Sequence, residues 1–417
     1  MTSSEFHAGG SALILRHRPF FRFWVGQLCS VSAFQMLSVA IGWQLYELTH
    51  RALDLGLVGL AEFLPVLVLA LPAGHVADRF RRRTVLAICY AVEALICVAF
   101  LAGSLTGILD PTLVYGLAAV LGTARAFASP AASALMPSLV ERAVFGRAVA
   151  WNSSVFHAAS IAGPALGGLL YGFGAGAAYA SCAALFMLGA TMAGSLPPPS
   201  APAGTPSEAR EESKLTSVFA GLSYIWRDKA ILGTISLDLF AVLLGGATAL
   251  LPIYARDILD TGPAGLGLLR AAPALGALAV ALFLARRPLR RHTGVTMYIG
   301  VVIFGLGTCV FALSENFLVS AAALLVLGAA DMVSVFVRSS LVQLRTPDAM
   351  RGRVSAVNSI FIGASNQLGE FESGVTAAWF GVVPAALIGG IGTLAVVGLW
   401  LFLFPDLRRV DRLDEES

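Results

Sequence analysis

Charge is scarce in this chain. Asp, Glu, Lys and Arg make up 13% of its 417 residues, against about 25% in soluble domains. Histidine is rarer still, with six in all. The five cysteines (Cys29, Cys89, Cys97, Cys182 and Cys309) lie inside apolar runs, with no C-x-x-C pair and no neighbouring His cluster. A metal centre or disulfide framework is therefore unsupported, and these thiols read as small buried hydrophobes. The chain also lacks a G-x-x-x-x-G-K-[ST] phosphate loop, an H-E-x-x-H helix and a soluble domain that could hydrolyse a nucleotide. An enzyme, a bound cofactor and a nucleic-acid partner are not expected. No cleavable leader is visible at the N-terminus, where Arg16, Arg18 and Arg22 precede an apolar run of full spanning length.

What the chain has in abundance is apolar sequence: 57% of its residues are hydrophobic. Many runs reach the roughly 20 residues a helix needs to cross a bilayer. They are continuous rather than alternating, which excludes a membrane β-barrel. Breaking the chain at Pro, Gly and charge clusters gives twelve spans: 23–48, 56–77, 84–106, 111–139, 147–174, 177–196, 230–256, 263–285, 294–313, 317–344, 353–380 and 384–404. Between the sixth and seventh, "PPPSAPAGTPSEAREESK" is rich in Pro, Ser, Ala and charge, a composition that buries no core and reads as a linker. The expected organisation is an N-terminal six-helix bundle (1–196), a cytoplasmic linker (197–229) and a C-terminal six-helix bundle with a short tail (230–417).

Orientation follows from the basic residues. Of 28 Lys and Arg, 23 fall in segments that share one side of the membrane and two, Arg51 and Arg256, fall on the other. The positive-inside rule then puts both termini in the cytoplasm. Arg125, Arg270 and Arg338 lie within spans.

The two halves repeat. "FGRAVAWNSSVF" at 145–156 matches "RGRVSAVNSIFI" at 351–362 at an offset of 206, so that Asn152 recurs as Asn358. The same offset carries the fourth span onto the tenth and sets Arg125 opposite Asp331. An offset of 208 aligns Pro65 with Pro273 and Glu62 with Arg270. Pseudo-symmetric positions thus carry opposite charges, as two related bundles with different tasks would.

"GHVADRFRRRT" (74–84), after the second span, has the form G-x-x-x-D-R-x-x-R-R. With twelve spans in two halves, it resembles the signature loop of the major facilitator superfamily. Arg81 stands where that pattern usually has glycine. "LGTARAFASPAASALMPSLV" (121–140) resembles the superfamily's fourth-helix pattern, with Arg125 on its arginine. "GPALGG" (163–168) resembles the fifth-helix motif of its exporters, although Ala159 occupies a position where that motif has glycine. The sequence is most similar to the branch that contains the bacterial enterobactin exporter. The resemblance implies an all-α membrane protein with two pseudo-symmetric six-helix bundles, set in a bacterial inner membrane as a monomer.

Site residues follow from both lines of reasoning. Intramembrane charge costs about 2.5–3.5 kcal/mol on insertion scales, so it lines a cavity, pairs or carries protons. Gln35, Arg125, Asp238 and Asp331 are expected on the substrate path, because the resemblance puts the first, fourth, seventh and tenth spans there. Glu62, Glu370, Glu372 and Arg270 are candidates for proton coupling. Two carboxylates brought together away from water share a proton, since the second ionisation is opposed. Glu370 and Glu372 stand about 200° apart on a helix, so only one faces a given spot. Glu93 reads as a structural partner. Gly74, Asp78, Arg79, Arg82 and Arg83, with Arg351 and Arg353, form an expected cytoplasmic gate. Gly163, Pro164, Gly167 and Gly168 form a packing seam, expected against the eighth span, and Asn152 and Asn358 are expected to tie helix to helix. The function this implies is export of a small amphipathic molecule, a siderophore or a drug-like compound, driven by protons through alternating access. An importer, a lipid flippase-like transporter and a non-transporting receptor or scaffold are the alternatives.

Overall fold

The structure, a computed structural model, describes residues 17–197, 214–287, 289 and 291–410. Most of the expected linker's first half and the tail from 411 lie outside the described residues. Among those described, every regular element is helical. In chain order these are α1 (Arg18–Thr49), α2 (Ala52–Arg79), α3 (Arg82–Thr106), α4 (Pro111–Leu135), α5 (Phe145–Gly172), α6 (Ala175–Gly194), α7 (Lys214–Arg227) and α8 (Lys229–Leu244). They continue with α9 (Gly262–Arg286), α10 (Thr293–Leu313), α11 (Phe317–Arg345), α12 (Asp348–Phe380), α13 (Val382–Leu403) and the short α14 (Pro405–Arg409).

Local chemistry sets these boundaries. Asp110 caps α4 by accepting from Leu113 N at 2.9 Å, with Pro111 beside it at the first helical position. Asp228 accepts from Ala230 N and Ile231 N at 3.0 Å and starts α8. Asn316 accepts from Leu318 N at 2.9 Å and starts α11. Gly107 ends α3 at φ 71°, a left-handed conformation that suits a residue without Cβ.

Eleven helical spans are long and apolar enough to cross a bilayer. The twelfth is α12, long enough at 33 residues but made less apolar by Asn358, Asn366, Gln367, Glu370 and Glu372. Together they make the twelve transmembrane helices of two six-helix bundles. Two compact units form: one holds residues up to Leu48 and from Ala61 through α6, the other Thr49–Leu60 and everything from α7 onward. The first turns of α2 group with the second unit because Gly56 packs on Phe371 of α12, where an added Cβ would come within 3.1 Å of its backbone.

The repeat appears as paired close approaches. In the first unit Gly122 of α4 lies on the backbone of α2, where a Cβ would fall 1.9 Å from Glu62 O. In the second, Gly328 of α11 lies on α9, where a Cβ would fall 2.0 Å from Pro273 O. Likewise Gly163 of α5 closes on Gln35 of α1, and Gly369 of α12 closes on Leu243 of α8. Both glycine pairs are related by the offset of 206, and Gln35 and Leu243 by 208. Small residues do this because lipid supplies no hydrophobic drive to helix association, so close backbone contact must.

Two departures from the sequence reading stand out. Residues 214–227 were expected to be linker, yet they form α7. Ile225 is buried with Ile231, Ile235, Val342 and Val354, and the Tyr224 hydroxyl donates to Arg345 O at 2.8 Å. Burial, helped by Asp228, pushes the Tyr224 phenol above its ordinary pKa and keeps it a donor. The Pro-rich composition of 197–213 had been extended too far along the chain. The seventh span was expected as one helix over 230–256. It breaks after α8 at Gly245–Gly246 and continues as a 3-10 turn (Ala247–Leu250), a short turn (Leu251–Ile253) and a π turn (Tyr254–Ile258). Gly246 sits where a Cβ would come 2.4 Å from Gly369 O, and Pro252 has no N–H to donate. The Thr393 hydroxyl reaches Ala241 O at 3.2 Å, satisfying one carbonyl near the break.

Gly122→Val and Gly328→Val are each expected to cost about 1–3 kcal/mol by overpacking, measured as a lower melting temperature of the purified protein in detergent. Gly116→Ala, with nothing within 4 Å of the added Cβ, is the control and should leave it unchanged.

Candidate functional site

The first unit gathers its intramembrane charges on adjoining helices. Arg125 of α4 places its guanidinium 3.4 Å from the ring centroid of Phe34 on α1, a cation–π contact strengthened away from water. Glu93 of α3 is wholly buried, and neither of its carboxylate oxygens has a hydrogen-bond partner. Its charged neighbours are Arg125 and Glu62, with Ser30 close by. Beside them the Tyr90 hydroxyl donates to Gln27 Oε1. Four helices thus converge on two carboxylates and one guanidinium. Glu93, read from sequence as a structural partner, belongs to this charged set.

Gln35 and Gln44 are nine residues apart, on opposite faces of α1, and have different surroundings. Gln44 is buried: the Tyr179 hydroxyl donates to its Oε1, and its Nε2 donates to Ser104 Oγ at 3.0 Å. It ties α1 to α3 and α6. Gln35 is half-buried beside Gly163. The seam residues Gly163, Pro164, Gly167 and Gly168 are all buried in α5. This seam was expected against the eighth span. The close approach found at Gly163 and Gly167 is to Ser32, Gln35 and Met36 of α1, with a Cβ at Gly167 only 2.7 Å from Met36 Cα. The reason is the i, i+4 spacing of the two glycines, which fits one straight neighbouring helix.

The second unit repeats the two-to-one ratio with other residues. Asp238 of α8 forms an ion pair with Arg338 of α11, their side chains 5% and 4% exposed. Ser334 Oγ donates to Asp238 Oδ1 at 3.0 Å. Asp331, one turn before Ser334, shares with Asp238 a cavity of about 10 Å³ closed by Ala241, Phe304 and Ala330, room on the scale of one water. Arg338 had been given no part from sequence. Its signal was available: it follows Asp331 by seven residues, two turns along the same face.

Glu370 and Glu372 face different surroundings. Glu370 interacts with Arg270 of α9, and its Oε2 would lie 3.2 Å from a Cβ at Gly59. Glu372 accepts from the Thr376 hydroxyl at 2.7 Å. The repeated asparagines were expected to tie helix to helix; instead Asn152 Oδ1 and Asn358 Oδ1 are both buried without a donor.

At the basic end, the loop arginines divide their work. Arg82 donates from Nη1 to Ala134 O at 2.9 Å and from Nε to Ala77 O at 3.3 Å. Arg83 donates to Leu196 O, and Arg22 to Ser195 O at 2.8 Å. These carbonyls lie at or just beyond the C-terminal ends of α2, α4 and α6, where orphan acceptors and the helix dipole favour a cation. Asp78 and Arg79 are exposed past Gly74 near the end of α2. In the second unit Arg351 pairs with Asp348 at 2.7 Å and donates to Gln343 O at 3.1 Å, while Arg353 Nη1 reaches Met350 Sδ at 3.7 Å. Among the described residues no group of three His, Cys, Asp or Glu could hold a metal ion.

Comparison with known proteins places this geometry. The family model for transmembrane secretion effectors matches residues 10–417. The enterobactin exporter EntS of Citrobacter koseri is 27% identical over 416 residues, covering 95% of this chain and 94% of that one. The crystal structure of a point mutant of the nucleoside transporter NupG superposes with a TM-score of 0.70 at 16% identity, over 93% of this chain and all of that one. A bacterial homologue of the human lysosomal transporter Spinster, inward-facing and occupied, gives 0.71 at 12% identity, over 93% and 95% of the two chains. At such identities the two structures speak for the fold.

Arg338→Met should leave Asp238 buried and unpaired, a loss of about 3–5 kcal/mol, read as a large fall in thermal stability in detergent. The double change Asp238→Leu with Arg338→Met should recover most of it. A double variant no more stable than the single one would show that Arg338 is not held there by Asp238.

Proposed function

Because the chain belongs to the transmembrane secretion effector family of the major facilitator superfamily, and so is a multi-pass membrane transporter, we propose that it exports a small amphipathic molecule, a siderophore first among the candidates, in exchange for protons. The observation that carries the reading is the charge ratio inside each bundle. Glu93 has Arg125 and Glu62 as its charged neighbours, while Asp238 pairs with Arg338 and shares a small cavity with Asp331. Each set has one carboxylate more than it has guanidinium. In a low-dielectric interior the surplus negative charge is costly, and a proton is the smallest group that removes it. A carrier that must take up and release a proton to balance such sites couples proton flow to its conformational cycle.

The direction is supported by the likeness to the enterobactin exporter over almost the full length of both chains. Arg125 and Asp331, with Gln35 and Asp238, are the substrate-path candidates. Glu62, Glu93, Arg270, Glu370 and Glu372 are the proton-handling candidates. The bundles 1–196 and 230–417 rock about the path, both termini are cytoplasmic as the basic segments require, and the working unit is a monomer. Asp78 and Arg79 in the first unit, and Arg351 and Arg353 in the second, are the candidates for the cytoplasmic gate, while Arg82 and Arg83, engaged with carbonyls, stiffen the helix ends beside it. The alternating-access site needs no bound cofactor.

Efflux of enterobactin from cells carrying the gene should exceed that from cells without it, and should fall to background when the proton gradient is collapsed. Unchanged efflux after collapse would remove the coupling ion from this reading. Arg125→Ala should reduce efflux at least tenfold with membrane insertion intact; wild-type efflux by that variant would remove Arg125 from the path.

A further inference from the structure

A large cavity on the first unit is lined by none of Glu62, Glu93 and Arg125. It is a groove of about 700 Å³ between the end of α2, the first half of α3 and the middle of α4, within the 300–1,000 Å³ typical of small-molecule sites. Its walls are apolar: Phe80, Ile88, Val92, Val120 and Phe127. Ile88 and Val120 are 59% and 47% exposed. Arg79, Arg81 and Thr84 stand at its cytoplasmic mouth.

The mouth is unusually rich in unspent positive charge. Arg82 and Arg83 are engaged with carbonyls of helix ends. Arg79 and Arg81 are exposed and have no hydrogen-bond or ion-pair partner among the described residues. α3 starts at this point with Arg81 as its N-cap and no side-chain cap bond, so the partial positive charge of a helix N-terminus adds to the two guanidiniums. From Arg81 to Val92 is about 16 Å along α3 at 1.5 Å per residue, close to half of a roughly 30 Å hydrocarbon core. The groove therefore runs from headgroup level to about mid-bilayer, the depth of one leaflet.

We propose that this groove holds an anionic phospholipid of the cytoplasmic leaflet, with its phosphate between Arg79 and Arg81 at the start of α3 and an acyl chain along Ile88, Val92 and Val120. Charge, polarity and depth agree on that occupant. A soluble phosphate would use the mouth and leave the apolar walls bare, whereas an uncharged lipid would use the walls and leave two guanidiniums uncompensated. Arg81 is the residue by which this chain departs from the glycine usual in the signature loop, so the site is a property of this sequence. A lipid bound there bridges the ends of α2 and α3, and thereby braces the loop that carries Asp78.

The test uses the full-length protein in detergent, stripped of lipid and then given dioleoyl phosphatidylglycerol or dioleoyl phosphatidylcholine. Retained lipid is counted by native mass spectrometry and the melting temperature recorded. Phosphatidylglycerol should be retained and should raise the melting temperature more than phosphatidylcholine. Arg81→Gly should lower its retention about fivefold, since a basic residue near an anionic surface is worth about 1 kcal/mol. Ile88→Trp, which fills the groove from an exposed position, should lower it independently. Equal retention of the two lipids, retention unaffected by both variants, or displacement of the lipid by inorganic phosphate would each overturn the proposal.

Discussion

A buried charge in this protein has no water to fall back on, and the rest of its architecture is arranged around that fact. In the hydrocarbon layer an isolated ion is expelled, neutralised or matched. The first bundle matches Arg125 with the face of Phe34 and the nearby carboxylates of Glu93 and Glu62. The second matches Asp238 with Arg338 and Ser334, and leaves Asp331 beside them. The two solutions use different residues on different helices, yet both hold more acid than base. A structure that needed only stability would be expected to replace such groups by well-packed apolar ones, often at no loss. Their retention in both bundles is the feature on which the proposed proton coupling rests.

The same scarcity of water shapes the helix contacts. With lipid as apolar as leucine, close backbone approach holds helices together, and glycine permits it. Gly122 and Gly328, like Gly163 and Gly369, occupy equivalent places in the two halves and meet equivalent helices. At the basic end the chain satisfies the carbonyls left over at helix C-termini with arginine. Arg22, Arg82 and Arg83 therefore do more than concentrate positive charge at this end: they lace α2, α4 and α6 together at the point where the signature loop leaves α2.

Much of this was legible in the sequence because it rests on local composition. Spans were set by hydropathy, several helix starts by Asp110, Asp228 and Asn316, and the repeat by an ungapped offset. What escaped was non-local or depended on degree. The spacing of Arg338 from Asp331 marked it as one of a set, but its partner Asp238 lies 100 residues earlier, and no spacing rule joins those two. The break at Gly245–Gly246 has no distinct signal in the sequence, since glycine serves both close packing and a bend; only the contact with Gly369 separates them. α7 was hidden by the Pro-rich stretch before it, although its own residues turn Ile225 and Tyr224 inward. The glycine seam of α5 was visible, but not which helix it faces, because a glycine has no side chain to point with.

The broken seventh span connects these observations. Irregular backbone survives at membrane depth only where protein or a water-filled cavity satisfies it. Here Thr393 supplies one hydroxyl, and Gly369 presses its carbonyl against Gly246. Asp238 lies about two turns before the break on α8, and Arg338 and Asp331 belong to α11. The segment with the least regular hydrogen bonding is thus continuous with the helix that holds one acid of the second charged set. In the proposed proton-coupled cycle a change in the pairing of Asp238 acts on α8, and α8 ends where the regular helix is interrupted. Charge that needs compensation, placed on a helix interrupted at one glycine pair, is the physical basis on which the proposed coupling of a proton to the movement of this span rests.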